Sequence, residues 1–334
     1  MSGAGPIPGF VDLQVNGYRG VDFTSPELEA EALAGACREL LHHGTAAFLP
    51  CVITCAMETY RRNLPLISAC LGRPEFEGRL LGIHLEGPFI SRAAGAVGAH
   101  APQWVLPPDP GLLERFQQWA GGRIRLLTVA ADAAGAEELV RCAVRMGITV
   151  ALGHHMAGEA DLERMACAGA TLLTHLGNGA PALVPRHSNP IWAGLACDLL
   201  AATIITDGHH LPASAIKVMC RAKGARRLAV ISDASPVSGL APGRYRVAGN
   251  DAQVVLEPSG RLHNPDLGCL AGSSATMLEC MNHLAGLGFL GREELEAVGF
   301  HNPLRFIGLG PAAVRGPRQI DYDPAARRFS LTRA

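Results

Sequence analysis

Eight short apolar runs recur along this 334-residue chain, and helical stretches separate most of them. They read GFVDLQV, TAAFLPCVI, LLGIHLEG, RIRLLTVA, ITVALGH, ATLLTHL, AATIITDG and LAVISDA. Strands that alternate with helices imply a parallel sheet with right-handed crossovers. Eight such units predict an α/β fold of the (β/α)8 TIM-barrel type, with an open doubly wound sheet as the alternative. No GxGxxG turn follows the first run, which counts against a dinucleotide-binding version. The clearest helix begins at the Ser25–Pro26 start signal and runs from Pro26 to His43, stopping at Gly44. Helices are also predicted over Pro110–Ala120, Ala136–Met146, Gly158–Ala168 and Pro212–Ala222.

The rhythm changes after the eighth run. GRYRVAGNDAQVVLEPSGRLHN alternates around turn signals and predicts a β-hairpin excursion at about 243–264. SSATMLECMNHLAGL then reads as a helix capped by Ser273 or Ser274, and HNPLRFIGLG as a shorter one. The tail RQIDYDPAARRFSL predicts a hairpin turning at Asp323–Pro324. No low-complexity linker interrupts the chain. The expected organisation is one barrel domain over 1–310 and a short C-terminal β tail over 311–334.

Composition bounds the partners. Apolar residues make up 48% and charged residues 18%, so the chain has a core to bury, and a formal charge of −1 gives no case for nucleic acid or a membrane surface. The ten cysteines form no CxxC pair and read as reduced thiols. The N-terminal MSGAGPIPGF lacks a charged start and an apolar stretch, and no run approaches the ~20 apolar residues of a membrane span. A cytoplasmic enzyme is the expectation.

Several of the runs end in residues that carry chemistry. His84 and Glu86 stand in HLEGPF, His154 and His155 in GHH, His175 in TH and Asp233 in SDAS. Parallel barrel strands converge at their carboxyl ends, so these side chains meet on one face. A lone histidine at a strand end is more often structural. Two at the ends of consecutive strands, with a glutamate on a third, match a catalytic zinc set with an open position. His155 competes with His154 for that role, and spacing alone leaves both open. Asp233 is placed to exchange protons with a hydrolytic water, or else it caps the segment that follows. Asp207, followed by a glycine, reads as a turn residue. The first strand ends in Asp12, Gln14 and Asn16, and the last two hold the positions where barrel hydrolases often carry an HxH pair. Neutral amides are poor zinc ligands, so one divalent metal is expected rather than two. His100, Asn178, Arg186, His209 and His210 lie in loops after strands, where an arginine and a histidine suit a phosphate.

In order, PGFVDLQVNG, HLEGPF, GHHMAG, THLGNGAP, ITDGHH, SDASPVSG and LAGSSATM resemble the motifs of N-acetylglucosamine-6-phosphate deacetylases, of the amidohydrolase superfamily. The resemblance spans about Pro8 to Met277. It implies hydrolysis of the acetamide of an N-acetylated amino sugar 6-phosphate. A different N-acetyl sugar, a cyclic amide, or a silent sugar-phosphate-binding barrel are the alternatives. The metal ligands it implies are Glu86, His154 and His175, holding zinc or else iron or another divalent ion. Asp233 is then the acid/base, and His100 sits beside the acetyl carbonyl. Asn178, Gly179, Arg186 and His210 are implied sugar-phosphate contacts, with Gln14 added as a substrate-side residue. A homodimer is implied, because part of the phosphate site can come from a neighbouring subunit. Three departures stand out. His155 replaces a usual serine, RHSNPIWAGL replaces the segment around the family's arginine, and the small β domain is expected to be reduced or absent.

Overall fold

The computed structural model describes residues 8–247, 253–316 and 320–332. Its centre is a sheet of eight parallel strands paired in chain order: β1 (Phe10–Val15), β2 (Thr45–Ile53), β3 (Ile83–Glu86), β4 (Ile124–Val129), β5 (Thr149–Leu152), β6 (Leu172–Leu173), β7 (Ala201–Ile205) and β8 (Leu228–Ile231). Just beyond β1 and β8, the Asn16 amide N–H donates to the Ala234 carbonyl at 2.8 Å and Val15 bridges Ala234. The two edges of the sheet therefore meet, and the barrel closes.

All six residues of β1 are buried, as a strand covered on both faces requires. One apolar cluster, with Val11, Leu13, Ala47, Leu49, Leu126, Leu172 and Ile231, fills the barrel. Phe300, Leu304 and Phe306 join it from the C-terminal helical segment and plug the end at which the strands begin. A second, larger cluster lies between strands and helices and includes Phe48, Ile83, Leu85, Tyr60 and Phe116. The interior is thus packed from below, and only the face at the strands' carboxyl ends is left for chemistry.

Helices α1 (Ala30–His42), α2 (Met57–Leu71), α3 (Pro110–Trp119), α4 (Ala136–Arg145), α5 (Glu159–Ala168), α6 (Pro190–Ala196), α7 (Ala213–Lys223) and α8 (Met277–Gly286) accompany the strands. The first begins four residues later than the Ser25–Pro26 signal suggested. Ser25 does cap, but its hydroxyl accepts the Glu27 N–H and its carbonyl the Leu28 N–H, which makes a turn that buries Leu28 before the helix starts. Neither Ser273 nor Ser274 caps α8. Thr276 does, in a reciprocal box with Glu279, while the Ser274 hydroxyl donates to the Gly260 carbonyl.

The excursion after β8 is larger than a hairpin. Strands β9 (Gly243–Arg246), β10 (Gln253–Leu256), β11 (Leu262–Asn264) and β12 (Cys269–Leu270) form a four-stranded antiparallel sheet with its own small core of Val237, Val254, Leu256 and Leu262. The tail forms β13 (Ile320–Asp323) and β14 (Arg328–Leu331), with Asp323 closing the turn through the Ala325 and Ala326 N–H groups. Phe329 packs edge-on against Phe10 at 5.0 Å, which ties this hairpin to the first barrel strand. Among the described residues no helix is long and apolar enough to cross a membrane.

Candidate active site

Glu86 is the last residue of β3. His154, His175 and Asp233 each stand two residues past the ends of β5, β6 and β8. At each of these three the backbone turns left-handed, with φ of 52°, 30° and 50°. Only Arg19 and Arg327 share that conformation among the described non-glycine residues. Bulky side chains avoid this region unless the surroundings impose it, and such strain clusters at functional sites. Here it swings each side chain off the strand line and over the barrel mouth.

The three side chains converge closely. Glu86 Oε1 lies 2.8 Å from His175 Nε2 and 3.1 Å from His154 Nε2, and the two Nε2 atoms are 3.1 Å apart. All three residues are buried. The Nδ1 of His154 is 2.8 Å from the Ala96 carbonyl, which can only accept, so that nitrogen carries the proton. In the neutral ring Nε2 then turns a lone pair toward a carboxylate oxygen and a second imidazole nitrogen. Three electron-rich atoms that close repel one another unless a proton or a metal cation lies among them. Donor atoms around a tetrahedral zinc stand about 3.3 Å apart, close to the spacing here. One carboxylate and two imidazoles with a side left open fit a catalytic divalent ion, and this triad is a candidate metal site. With no ion among them, the same closeness favours a proton on the His154 ring beside an ionised Glu86. Burial pushes the Glu86 carboxyl up, yet His154 and His175 hold it well below the usual range. Burial pulls His154 down, and the Glu86 carboxylate outweighs it, leaving His154 raised.

His100 adds a fourth imidazole, with Nε2 3.7 Å from Glu86 Oε2. The Thr54 amide N–H donates to His100 Nδ1 at 3.4 Å, which puts the ring proton on Nε2. Burial first, then the neighbouring His154, depress its pKa to about 3, so the ring stays neutral and offers an N–H to the open side of the site. Asp233 faces the triad across the cavity. Burial and the Glu86 carboxylate raise its pKa to about 6.

Gln14 and Asn16 both reach Asp233. Gln14 Nε2 and Asn16 Nδ2 donate to the same oxygen, Oδ1, at 3.0 and 2.7 Å. Gln14, expected on the substrate side, is thus committed to Asp233 and does not line the cavity, whereas Asn16 does. Asp12 does not join them, because an irregularity in β1 between Asp12 and Val15 breaks the alternation. Its carboxylate accepts from the hydroxyl and amide of Ser232. His84 sits below the triad against the Thr128 hydroxyl at 2.9 Å, and His155 is buried away from it, accepting from the Ala157 N–H.

A cavity of about 700 Å3 opens above these residues. Asn178, Gly179 and His210, the residues read as sugar-phosphate contacts, line it together with Arg92. Gly179 has φ of 62°, and a Cβ there would come within 3.0 Å of His154 Nδ1 and 3.1 Å of His175 Cε1. His210 holds Asp207 Oδ2 at 2.8 Å through Nδ1, while Asp207 Oδ1 receives the His209 and His210 amides. Arg186 is exposed and does not line the cavity of its own chain; its carbonyl accepts from the Trp192 indole. The far wall comes from the excursion sheet, through Val254, Asn264, Leu267 and Leu270. Sequence reasoning missed that wall, and also Thr54 behind His100. Strand-like alternation marks a sheet but not which way it folds.

A closed parallel barrel with a carboxylate, two imidazoles and a further carboxylate at its strand ends defines a hydrolytic barrel enzyme of the amidohydrolase kind. No family model matches the chain. It is 33% identical over 314 residues to the N-acetylglucosamine-6-phosphate deacetylase of Bos taurus, covering 90% of this chain and 74% of that one. The crystal structure of N-acetyl-D-glucosamine-6-phosphate deacetylase from Mycobacterium smegmatis superposes with a TM-score of 0.83 at 28% identity, covering 92% of this chain and 79% of that one. An aspartate-to-alanine mutant of the same Mycobacterium smegmatis enzyme, in complex with N-acetyl-D-glucosamine-6-phosphate, gives 0.83 at 27%, covering 98% and 87%. The chain belongs to the N-acetylglucosamine-6-phosphate deacetylase family.

Proposed function

We propose that this enzyme hydrolyses the acetamide of N-acetylglucosamine 6-phosphate, releasing acetate and glucosamine 6-phosphate. Family membership supports the reaction, and the converged triad facing Asp233 is the observation that carries the mechanism. Glu86, His154 and His175 would hold one divalent ion, zinc in our reading. When bound, that ion supplies Lewis acidity, polarising a carbonyl and making water a better nucleophile at neutral pH. Asp233 takes a proton from the attacking water and returns it to the departing amine, without which the tetrahedral intermediate would collapse backward. Its raised pKa, near 6, suits a group that must both accept and donate near neutrality. His100 offers its Nε2–H to the oxygen on which negative charge develops.

The sugar and phosphate are bound by Asn178, Gly179 and His210, with Asp207 orienting the His210 ring. Arg186 stands outside the cavity of its own chain, so in this reading it reaches the phosphate of a neighbouring subunit, and the working unit is a homodimer. The barrel with its excursion sheet, 1–310, and the tail hairpin act as one catalytic unit. Acetate release across a panel of N-acetyl sugars, each with and without the 6-phosphate, tests the assignment. The phosphorylated glucosamine derivative is expected to be turned over with the highest kcat/KM. A preference for an unphosphorylated sugar or a cyclic amide would overturn it.

A further inference from the structure

Where related barrels put metal-binding histidines, β1 and the residue after it carry Gln14 and Asn16. Both amides are spent on one carboxylate oxygen of Asp233, at 3.0 and 2.7 Å. An ionised carboxylate only accepts, so both contacts must come from amide N–H groups. This fixes the orientation of both side chains. The Asn16 Oδ1 must then point away from Asp233, and it is buried without a hydrogen-bond partner. Asn16 also lines the active-site cavity. Its backbone is fully used, since its N–H donates to Ala234 and its carbonyl accepts from Phe23.

We propose that Gln14 and Asn16 are the positioning pair that selects the reactive oxygen of Asp233. Oδ1 of Asp233 is saturated by the two amides, which leaves Oδ2 as the proton acceptor. One hydrogen of the attacking water passes to Asp233 Oδ2 as the water oxygen bonds to the acyl carbon, and the other stays on that oxygen. The proton on Oδ2 later goes to the amine nitrogen as the C–N bond breaks, so protons and charge balance. The two amides also stabilise ionised Asp233 against the groups around it. Glu86 and Asp12 disfavour its charge, while His154, His175 and His210 favour it. This rests on Asp233 being the acid/base, and the test separates the two.

The test uses Asn16→Leu and Gln14→Met, which keep shape and remove the polar heads, each in the native and the Asp233→Asn background. Metal content is measured on every variant, and turnover on N-acetylglucosamine 6-phosphate across pH. Asn16→Leu is expected to keep its metal and to lose about ten- to a hundredfold in kcat. Loss of the donor should move the acid limb of its kcat/KM profile upward by about one pH unit. Gln14→Met should move the limb in the same direction with a smaller loss in kcat, since its contact to Asp233 is the longer of the two. In the Asp233→Asn background neither substitution should cost more than a few-fold, because there is no base left to position. An unmoved limb, or equal losses in both backgrounds, would overturn the proposal. If Asp233→Asn itself stays within about tenfold of the parent, the acid/base reading has failed instead. Should Asn16→Leu not fold, Asn16→Ala gives the same two readouts, with the same limb shift expected.

Discussion

Replacing Asp233 with asparagine should separate catalysis from stability, and the structure says how far each moves. The new side chain keeps a carbonyl oxygen where Gln14 and Asn16 donate, at 3.0 and 2.7 Å, so the local hydrogen bonds survive. What disappears is an oxygen able to accept a proton. General-base catalysis contributes about 10²–10⁴ in rate, so kcat should fall by that factor, equivalent to about 3–5 kcal/mol in the barrier. Stability should move the other way. The folded pKa of Asp233 is raised, from 3.8 to about 6, by burial and the Glu86 carboxylate. Its contribution to stability is therefore complete below the unfolded value and is lost as pH rises through about 6. At about 1.36 kcal/mol per pH unit, the cost of the buried charge above pH 6 is on the order of 3 kcal/mol. Unfolding entropy of about 2.1 cal/mol/K per residue makes that worth roughly 4 °C in a chain of this size. The assay pairs acetate release with thermal unfolding of metal-free protein at pH 8 and pH 4. Asp233→Asn should melt about 4 °C higher than the parent at pH 8 and within about 1 °C of it at pH 4. A variant that keeps activity within about tenfold, or that melts lower at pH 8, would refute the reasoning.

His154→Ala should purify with little metal, whereas His155→Ala should retain it, as elemental analysis of both would show. Gly179→Ala should lose metal affinity roughly tenfold or more, because the added methyl presses on both His154 and His175; unchanged affinity would mean the loop yields. For the parent enzyme, kcat/KM should fall on the acid side with a midpoint at or below pH 6, since the base must be ionised and a bound cation lowers its pKa further; a midpoint near 8 would name another group. Arg186→Ala should lower kcat/KM for the 6-phosphate about ten- to a hundredfold. Mixing it with Asp233→Asn should restore activity, because a hybrid dimer holds one intact site if Arg186 acts across the interface. No recovery on mixing would place Arg186 elsewhere.

How much of this was legible depended on whether the signal was local. Buried strands alternating with helices predict a closed barrel, because few topologies satisfy that order. Glu86, His154, His175 and Asp233 were visible because each ends an apolar run, and parallel strands bring such ends together. What decides between His154 and His155 was not visible. The strand stops at Leu152, and His154 turns left-handed, a tertiary constraint that no spacing encodes. The Thr276–Glu279 box was legible as T-x-x-E, but the serines before it are equally good caps and are taken by other partners. Asn189–Pro190 likewise announced α6, where Asn189 accepts the Ile191 and Trp192 amides; the segment read instead as a departure in a loop. Gln14 illustrates the opposite limit. Its residue type argues against a zinc ligand, but its partner, Asp233, is 219 positions away and known only from the fold.

A metal titration read out by product bears most directly on the single-ion site. Protein stripped of metal and shown to remain folded should release no acetate from N-acetylglucosamine 6-phosphate. Zinc added back should restore acetate and glucosamine 6-phosphate in equal amounts, with activity reaching its plateau at about one equivalent per chain. Full activity in the stripped protein, or a plateau only at two equivalents, would contradict a single ion held by Glu86, His154 and His175 opposite Asp233.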